Sequence, residues 1–316
     1  MADISETITA ALAGNRGALA RLLSVAECGD DRLSVIESAI AGLVGKAYVI
    51  GVTGPPGAGK STLINQLLPR AQAEFDRAAV LAVDPSSPFS NGALLGDRVR
   101  MQGDNLKDAV FIRSMASRGE AGGLARAAAT CVRIFDACGW PVVIIETLGI
   151  GQVELEIMNL ADTVLVVLNP GWGDTFQANK AGLTEAGDVF TINKADKPGV
   201  EQTRTDLLDS LALMAARPLP NVAETISTDG TGVDELWDSL IEHRNRLLDS
   251  GELDSRRARK RQQVLHKLIA DQLDQRLKDA LATDAGGELL ASLADGTQDI
   301  QQVVRQLLAQ ISQSSP

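Results

Sequence analysis

The chain has 316 residues, of which 45% are hydrophobic and 22% are charged, with a formal net charge of −11. This length and composition are typical of a folded globular protein and exclude a disulfide-stapled peptide, a collagen-like chain and wholesale disorder. An acidic chain repels nucleic acid and anionic membranes, so we expect neither as a partner. A phosphorylated ligand would have to be held by local groups.

The sequence has no apolar run approaching the roughly 18 residues that a membrane span needs. Its amino terminus lacks the basic and apolar pattern of a signal peptide and the arginine-rich pattern of a transit peptide, which indicates a cytoplasmic protein. The three cysteines and two histidines do not follow the spacing of a zinc site or a disulfide framework. We interpret the cysteines as buried or incidental thiols and the histidines as surface or core residues of helices.

The hydrophobic pattern divides the chain into three segments. Apolar residues recur every three or four positions in residues 1–46, which predicts an N-terminal helical extension. From 47 to 250, short β-branched runs alternate with helical patterns, which predicts an α/β domain with a mostly parallel sheet between two helical layers. From 251 to 316, amphipathic stripes predict a C-terminal helical arm.

A glycine-rich loop follows the first predicted strand. Residues 54–61 match the pattern G-x-x-x-x-G-K-[ST] of the P-loop, between an apolar strand and a helical pattern, as the motif requires. Backbone N–H groups of such a loop hold phosphate oxygens, and the lysine adds a charge near the β and γ phosphates. The predicted nucleotide-binding residues here are Gly54, Pro55, Pro56, Gly57, Ala58, Gly59, Lys60, Ser61 and Thr62.

Three acids are candidates to hold Mg²⁺ together with the Ser61 hydroxyl, because this ion prefers oxygen ligands. Asp84 and Glu146 each end a predicted strand, and Asp97 lies in the loop that follows Asp84. Each could instead cap a helix.

The predicted catalytic groups are Lys60, Asp97, Glu146 and Gln152, with the glutamine as a candidate to orient water. Gly149 and Gly151 belong to a loop that could contact the γ-phosphate and release it after hydrolysis. Arg100 or Arg113 could supply a positive charge, or each could form an ordinary salt bridge.

A second motif predicts guanine as the base. Asn193, Lys194 and Asp196 form an N-K-x-D tetrad after an apolar strand, and the Asp carboxylate can accept hydrogen bonds from both the ring N1–H and the exocyclic amine of guanine. Adenine presents the opposite pattern, so we expect GTP and GDP as ligands. Ser227 and Thr228 form the candidate second loop at the base.

These motifs resemble those of the methylmalonyl-CoA mutase-associated GTPases, the MeaB/ArgK family. The resemblance extends to D-P-S-S at 84–87, G-D-R-V-R-M at 96–101, F-I-R-S-M at 111–115 and P-G at 170–171. It implies a homodimeric P-loop G protein of the signal-recognition and MinD-like class. Such a protein hydrolyses GTP with Mg²⁺ and acts as a chaperone of an adenosylcobalamin-dependent acyl-CoA mutase. Asp174 and Lys180 match a third loop that communicates with the mutase.

The chain departs from the family pattern at several positions, including Glu120, where a histidine is usual, and Trp172, where a small residue is usual. Both lie in segments that could contact the mutase, so a related mutase acting on another acyl-CoA is an alternative partner. A small-molecule kinase of the amino-acid transport type and a nickel-insertase-type GTPase are alternative functions. The basic run 256–261 could indicate nucleic acid, but a solvated helix face paired with acids explains it better.

Overall fold

The structure is a computed structural model that describes residues 3–30, 32–84, 108–116, 121–147, 149, 151–171, 185–213, 220 and 222–313. Its elements are α1 (Ile4–Leu12), α2 (Arg16–Cys28), α3 (Leu33–Ile40), β1 (Tyr48–Thr53), α4 (Lys60–Phe75), β2 (Ala78–Asp84), β3 (Val110–Ala116), α5 (Ala121–Ala137), β4 (Val142–Thr147), α6 (Gln152–Met158), β5 (Thr163–Leu168), β6 (Val189–Asn193), α7 (Val200–Leu213), β7 (Val222–Thr225), α8 (Val233–Asp249), α9 (Glu252–Leu281), α10 (Asp284–Ala294) and α11 (Ile300–Gln313).

Seven strands form one sheet in the order β3-β2-β4-β1-β5-β6-β7, and every pairing is parallel. Strands β1, β2, β4, β5 and β6 are buried along their whole length, as expected for a sheet covered on both faces. The predicted α/β fold is confirmed. All carboxyl ends of the strands meet at one edge, where a parallel sheet places its ligand.

Two hydrophobic cores lie on opposite faces of the sheet. One contains α4 and α8, with Ile50 and Val52 of β1 among its members. The other contains α2, α3, α5 and α6. Gly51 of β1 faces this second core, and a Cβ added there would lie 2.7 Å from the Met158 sulfur of α6. The absence of a side chain at Gly51 therefore lets α6 pack directly on the central strand.

The edge strand β3 is longer than its apolar run predicts. The sequence pattern ends at Ile112, but the strand continues through Arg113 and Ser114 to Ala116, paired with β2 along seven positions. An edge strand has a neighbour on one side only, so it tolerates these polar residues. Arg113 points to the face that carries α2, where it pairs with Glu27.

The described chain forms two compact units, Met1–Leu253 and Asp254–Pro316. The first unit contains the sheet together with α1, α2 and α3, and the second contains most of α9 with α10 and α11. None of the helices in the described part of the chain combines the length and the apolar composition that a membrane span requires.

Candidate nucleotide-binding site

The predicted P-loop occupies the middle of the carboxyl edge, because it connects the central strand β1 to α4. Two of its glycines are required by their surroundings. Gly54 has φ of +144° and a side chain there would collide with the carbonyl of Val167; Gly59 has φ of +93° and a side chain there would collide with Asn193. Both positions therefore favour glycine on backbone conformation as well as on space.

Lys60 is the first residue of α4 and is buried inside the loop. Its ammonium donates to the carbonyls of Gly54, at 2.7 Å, and Pro55, at 3.0 Å. Burial lowers the pKa of Lys60 to about 8, while the negative charges of Glu146 and Glu154 oppose that shift. The loop thus holds a cation at the point where the motif predicts phosphate.

Ser61 and Glu146 meet on the face of the sheet that carries α4. Glu146 is paired in register with Val52 of β1 and Ala82 of β2, and its carboxylate accepts a hydrogen bond of 2.5 Å from the Ser61 hydroxyl. Asp84 lies two residues beyond Ala82, so it faces the same side, and it is buried. The structure therefore gathers a hydroxyl and two acids on one side of the carboxyl edge.

The loop after β4 is attached to β1 through its backbone. The carbonyl of Gly149 accepts from the hydroxyl of Thr53 at 3.3 Å and from that of Thr147 at 3.5 Å. Thr53 is the last residue of β1, directly before the P-loop. The predicted γ-phosphate loop is thereby held next to the phosphate cradle.

Asn193 connects the two predicted motifs. Its amide nitrogen donates to the carbonyl of Ala58 at 2.7 Å, and its amide oxygen accepts from Ser227 N–H at 3.1 Å, from the Ser227 hydroxyl at 2.6 Å and from the Thr225 hydroxyl at 3.3 Å. All of these residues are buried. Asn193 thus positions the loop at 227 against the P-loop.

The rest of the tetrad lies beside the P-loop with more exposure. Lys194 has φ of +60°, and its Cε lies 4.0 Å from the position of a Cβ on Gly59. The Asp196 side chain is 44% exposed and lies 3.3 Å from the Lys197 ammonium. Thr228 is exposed in the turn after Ser227, so the structure brings Ser227 into the cluster more closely than Thr228.

Several predicted residues are not placed by the structure. Asp97 and Arg100 lie outside the described residues, and Gln152 begins α6 but its side chain is not described. The candidate partner-contacting residues Glu120, Trp172, Asp174 and Lys180 also lie outside the described residues.

The alternative role of Arg113 as a positive charge at the site is wrong. Its position on β3 places it on the sheet face opposite to α4, where its guanidinium contacts Ser24 and Glu27 of α2. The Arg113–Glu27 pair is the ordinary salt bridge that the sequence analysis gave as the alternative.

Sequence reasoning missed two contributors. The charge of Glu154, in the first turn of α6, acts on Lys60, and Gln66 of α4 donates to the carbonyl of Ser227 at 3.1 Å. Glu154 comes only three residues after Gly151, and this closeness to the predicted γ-phosphate loop could have identified it as a candidate site residue. Gln66 has no motif around it, and only the approach of α4 to the loop at 227 identifies it.

Comparisons with known proteins agree with this arrangement. The family described as "Methylmalonyl Co-A mutase-associated GTPase MeaB" matches residues 19–282. A protein of Pyrococcus abyssi named as a GTPase is 45% identical over 272 residues, which are 84% of each chain. The GTPase ArgK of Escherichia coli is 32% identical over 284 residues, covering 86% of this chain and 85% of its own.

A mouse protein named "methylmalonic aciduria type A homolog, mitochondrial" is 32% identical over 237 residues, covering 73% of this chain and 57% of its own. Among solved structures, one described as an "LAO/AO transport system kinase" superposes with a TM-score of 0.70 at 26% identity, and covers 98% of this chain and 97% of that one. With a P-loop and an N-K-x-D tetrad at one sheet edge, the chain belongs to the family of methylmalonyl-CoA mutase-associated GTPases, and its reaction is GTP hydrolysis.

Proposed function

We propose that this GTPase is a chaperone of an adenosylcobalamin-dependent acyl-CoA mutase, whose cofactor loading it gates and which it protects from inactive cofactor. The observation that carries the proposal is the match of residues 19–282 to a family named for its association with methylmalonyl-CoA mutase. The name of the mouse relative refers to methylmalonic aciduria, which supports a partner mutase that acts on methylmalonyl-CoA or a related acyl-CoA. Methylmalonyl-CoA mutase is the first candidate partner, and a related acyl-CoA mutase is the second.

At the site, we propose that the P-loop amides and Lys60 hold the phosphates of GTP or GDP and that the loops at 193–196 and 227–228 hold guanine. The ammonium of Lys60 already lies between the carbonyls of Gly54 and Pro55. Asn193 is occupied by hydrogen bonds to Ala58 and Ser227, so it positions the loops, while the exposed carboxylate of Asp196 can turn to the base. Each side chain thus has a separate part in binding.

The side chains present fit Mg²⁺, because a hydroxyl and a carboxylate oxygen already approach each other between Ser61 and Glu146, and both are ligand types that the ion prefers. Asp84 lies on the same face, and Asp97 is the further candidate from the sequence. When bound, the ion would neutralise negative charge on the phosphates. Glu146 also orients Ser61 in the free protein.

For hydrolysis, we propose that Lys60 and the amides of the P-loop stabilise the charge of the transferring phosphoryl group. Glu146 and Asp97 help to position the attacking water, and Gln152 is a further candidate for that role. The loop containing Gly149, held by Thr53, is the element that senses the γ-phosphate.

We further propose that the protein is a homodimer joined through its C-terminal arm, residues 251–316. Large apolar side chains are exposed on the helices of this arm, among them Leu265, Ile269 and Leu273 of α9 and Val304 and Leu308 of α11. A second copy of the chain would cover such a stripe.

The test is co-purification of the tagged protein with a candidate mutase, in the presence of a non-hydrolysable GTP analogue and, separately, of GDP. We expect retention of the mutase to depend on which nucleotide is bound. Equal absence of the mutase in both states, with methylmalonyl-CoA mutase and with related mutases, would contradict the chaperone role.

A kinase of the amino-acid transport type is the alternative, and the observation that favours it is the similarity to a solved structure described as a transport system kinase. Radiolabelled γ-phosphate distinguishes the two. Label that appears in an added amino acid would support the kinase, and label that appears in inorganic phosphate would support the GTPase chaperone.

A further inference from the structure

Glu154 is an acid at the phosphate site that no motif explains. It lies in the first turn of α6, three residues after Gly151, and its side chain is half-buried. The loop that precedes it is attached to the end of β1 through the Thr53 hydroxyl and the Gly149 carbonyl. The position of Glu154 is therefore fixed relative to Thr53, the residue directly before the P-loop.

The carboxylate of Glu154 is folded back over the two glycines of this loop. One oxygen lies 3.1 Å from where a Cβ on Gly149 would be, and the other lies 2.6 Å from where a Cβ on Gly151 would be. The space that side chains would fill at 149 and 151 is thus occupied by a negatively charged group. The group is the end of a flexible side chain, so it can move away from the two glycines.

The charge of Glu154 also reaches Lys60. The negative charges of Glu146 and Glu154 both act on the Lys60 ammonium, and Glu146 is also engaged by the Ser61 hydroxyl. In the nucleotide-free protein Glu154 therefore provides part of the negative charge that phosphate provides in the bound state.

We propose that Glu154 determines how well the protein distinguishes GTP from GDP. The γ-phosphate, which only GTP carries, is the part of the nucleotide that approaches Lys60, Gly149 and Gly151. Two like charges in a partly buried site repel each other strongly, so the carboxylate must leave the glycines when GTP binds. The cost of this displacement lowers the affinity for GTP more than the affinity for GDP. The inference rests on the proposed nucleotide site.

The test compares affinities of the full-length, nucleotide-free protein for GDP and for a non-hydrolysable GTP analogue, with Mg²⁺ present, by titration calorimetry. Glu154→Gln keeps the size of the side chain and removes its charge. We expect the affinity for the GTP analogue relative to GDP to rise on the order of tenfold. Glu154→Ala should change the ratio in the same direction, and it serves as the second variant if the glutamine variant does not fold.

The matched control is Glu242→Gln, which makes the same charge change at an exposed position of α8, next in sequence to the buried His243. It should leave the ratio as in the wild type. A ratio that Glu154→Gln leaves unchanged or lowers would overturn the inference.

A further variant, Lys60→Ala, distinguishes an error about Glu154 from an error about the nucleotide site as a whole. If the site is right, this variant loses affinity for both nucleotides. If Lys60→Ala binds both as the wild type does, the proposed nucleotide site is wrong. If it loses binding while the Glu154 variants keep the wild-type ratio, only the role of Glu154 is wrong.

Discussion

Asn193 is the residue at which three segments of the site meet. It is buried at the end of β6, and its amide group contacts the backbone of Ala58 in the P-loop and the N–H and hydroxyl groups of Ser227. An asparagine has a donor and an acceptor on one planar group, so it can satisfy a carbonyl on one side and N–H and O–H groups on the other. Its role is to position both loops.

Asn193→Ala should therefore affect stability as well as nucleotide binding. Removing the amide leaves the Ser227 N–H and the Ala58 carbonyl buried without these partners, which should lower the free energy of unfolding by about 2 kcal/mol. Urea denaturation and GDP titration would measure the two effects. Asn245→Ala, at an exposed position of α8, is the control and should change neither. Unaltered stability in Asn193→Ala would contradict this account.

Lys60 makes nucleotide binding sensitive to pH. Burial lowers the pKa of Lys60 in the free protein to about 8, and bound phosphates favour the charged ammonium and so raise that pKa. Above about pH 8, Lys60 must therefore take up a proton when the nucleotide binds. The affinity for GDP should therefore fall as pH rises, by up to about tenfold per pH unit, and should be nearly constant below about pH 7.

Titration of GDP between about pH 7 and pH 9 checks this expectation. Lys60→Arg is the control, because arginine stays charged throughout this range. Any pH dependence that this variant shows comes from the nucleotide or from other groups. An equal slope in the wild type and in Lys60→Arg would show that Lys60 is not the titrating group.

At the scale of elements, the packing of α6 on β1 positions Gly151, which directly precedes this helix. This contact is close because Gly51 has no side chain: an added Cβ would lie 2.7 Å from the Met158 sulfur and 2.9 Å from the Ala161 Cβ. The same helix carries Glu154 in its first turn. Packing on the central strand and the geometry of the phosphate site are therefore coupled through one short helix.

Gly51→Ala should lower the free energy of unfolding by about 2 kcal/mol, because a methyl group is forced into a filled core. It should also weaken nucleotide binding, since α6 must shift. Gly42→Ala adds the same methyl group where no atom lies within 4 Å, and it should leave both properties near their wild-type values. Thermal unfolding and GDP titration compare the two variants. Equal effects of both substitutions would contradict the proposed packing.

At the scale of the whole molecule, the two compact units have different surfaces. The unit Met1–Leu253 contains the sheet, both large cores and every described residue of the proposed site. The unit Asp254–Pro316 is helical, buries Val303, Leu307 and Ile311 and exposes many of its other large apolar side chains. The acidic and basic residues from 251 to 316 are equal in number, so the net charge of −11 belongs to the rest of the chain.

Leu273→Glu tests the proposed dimer in the full-length protein. Leu273 is 51% exposed on α9, so a charge there should not disturb the fold of one chain but should oppose burial against a second copy. Sedimentation should show a dimer for the wild type and a monomer for the variant. Gln262→Glu, at an exposed polar position of the same helix, should remain a dimer. A monomeric wild type would contradict the proposal.

The alternation of strands and helices, the parallel sheet, the P-loop and the guanine motif could all be predicted from the sequence alone. These features depend on local patterns. Runs of β-branched residues indicate buried strands, glycines indicate a phosphate loop, and an aspartate three residues after an asparagine indicates the guanine motif. The sequence also placed Ser61, Asp84 and Glu146 at one edge, because carboxyl ends of parallel strands meet there.

Which face each residue occupies, and what it contacts there, depends on the tertiary structure. It turned Arg113 toward α2 and away from the site, made Asn193 a link between loops, and brought Glu154 and Gln66 to residues far from them along the chain. A side chain's direction depends on the register of its strand and on the helices that pack against the sheet. Those contacts join distant segments, so no local pattern encodes them.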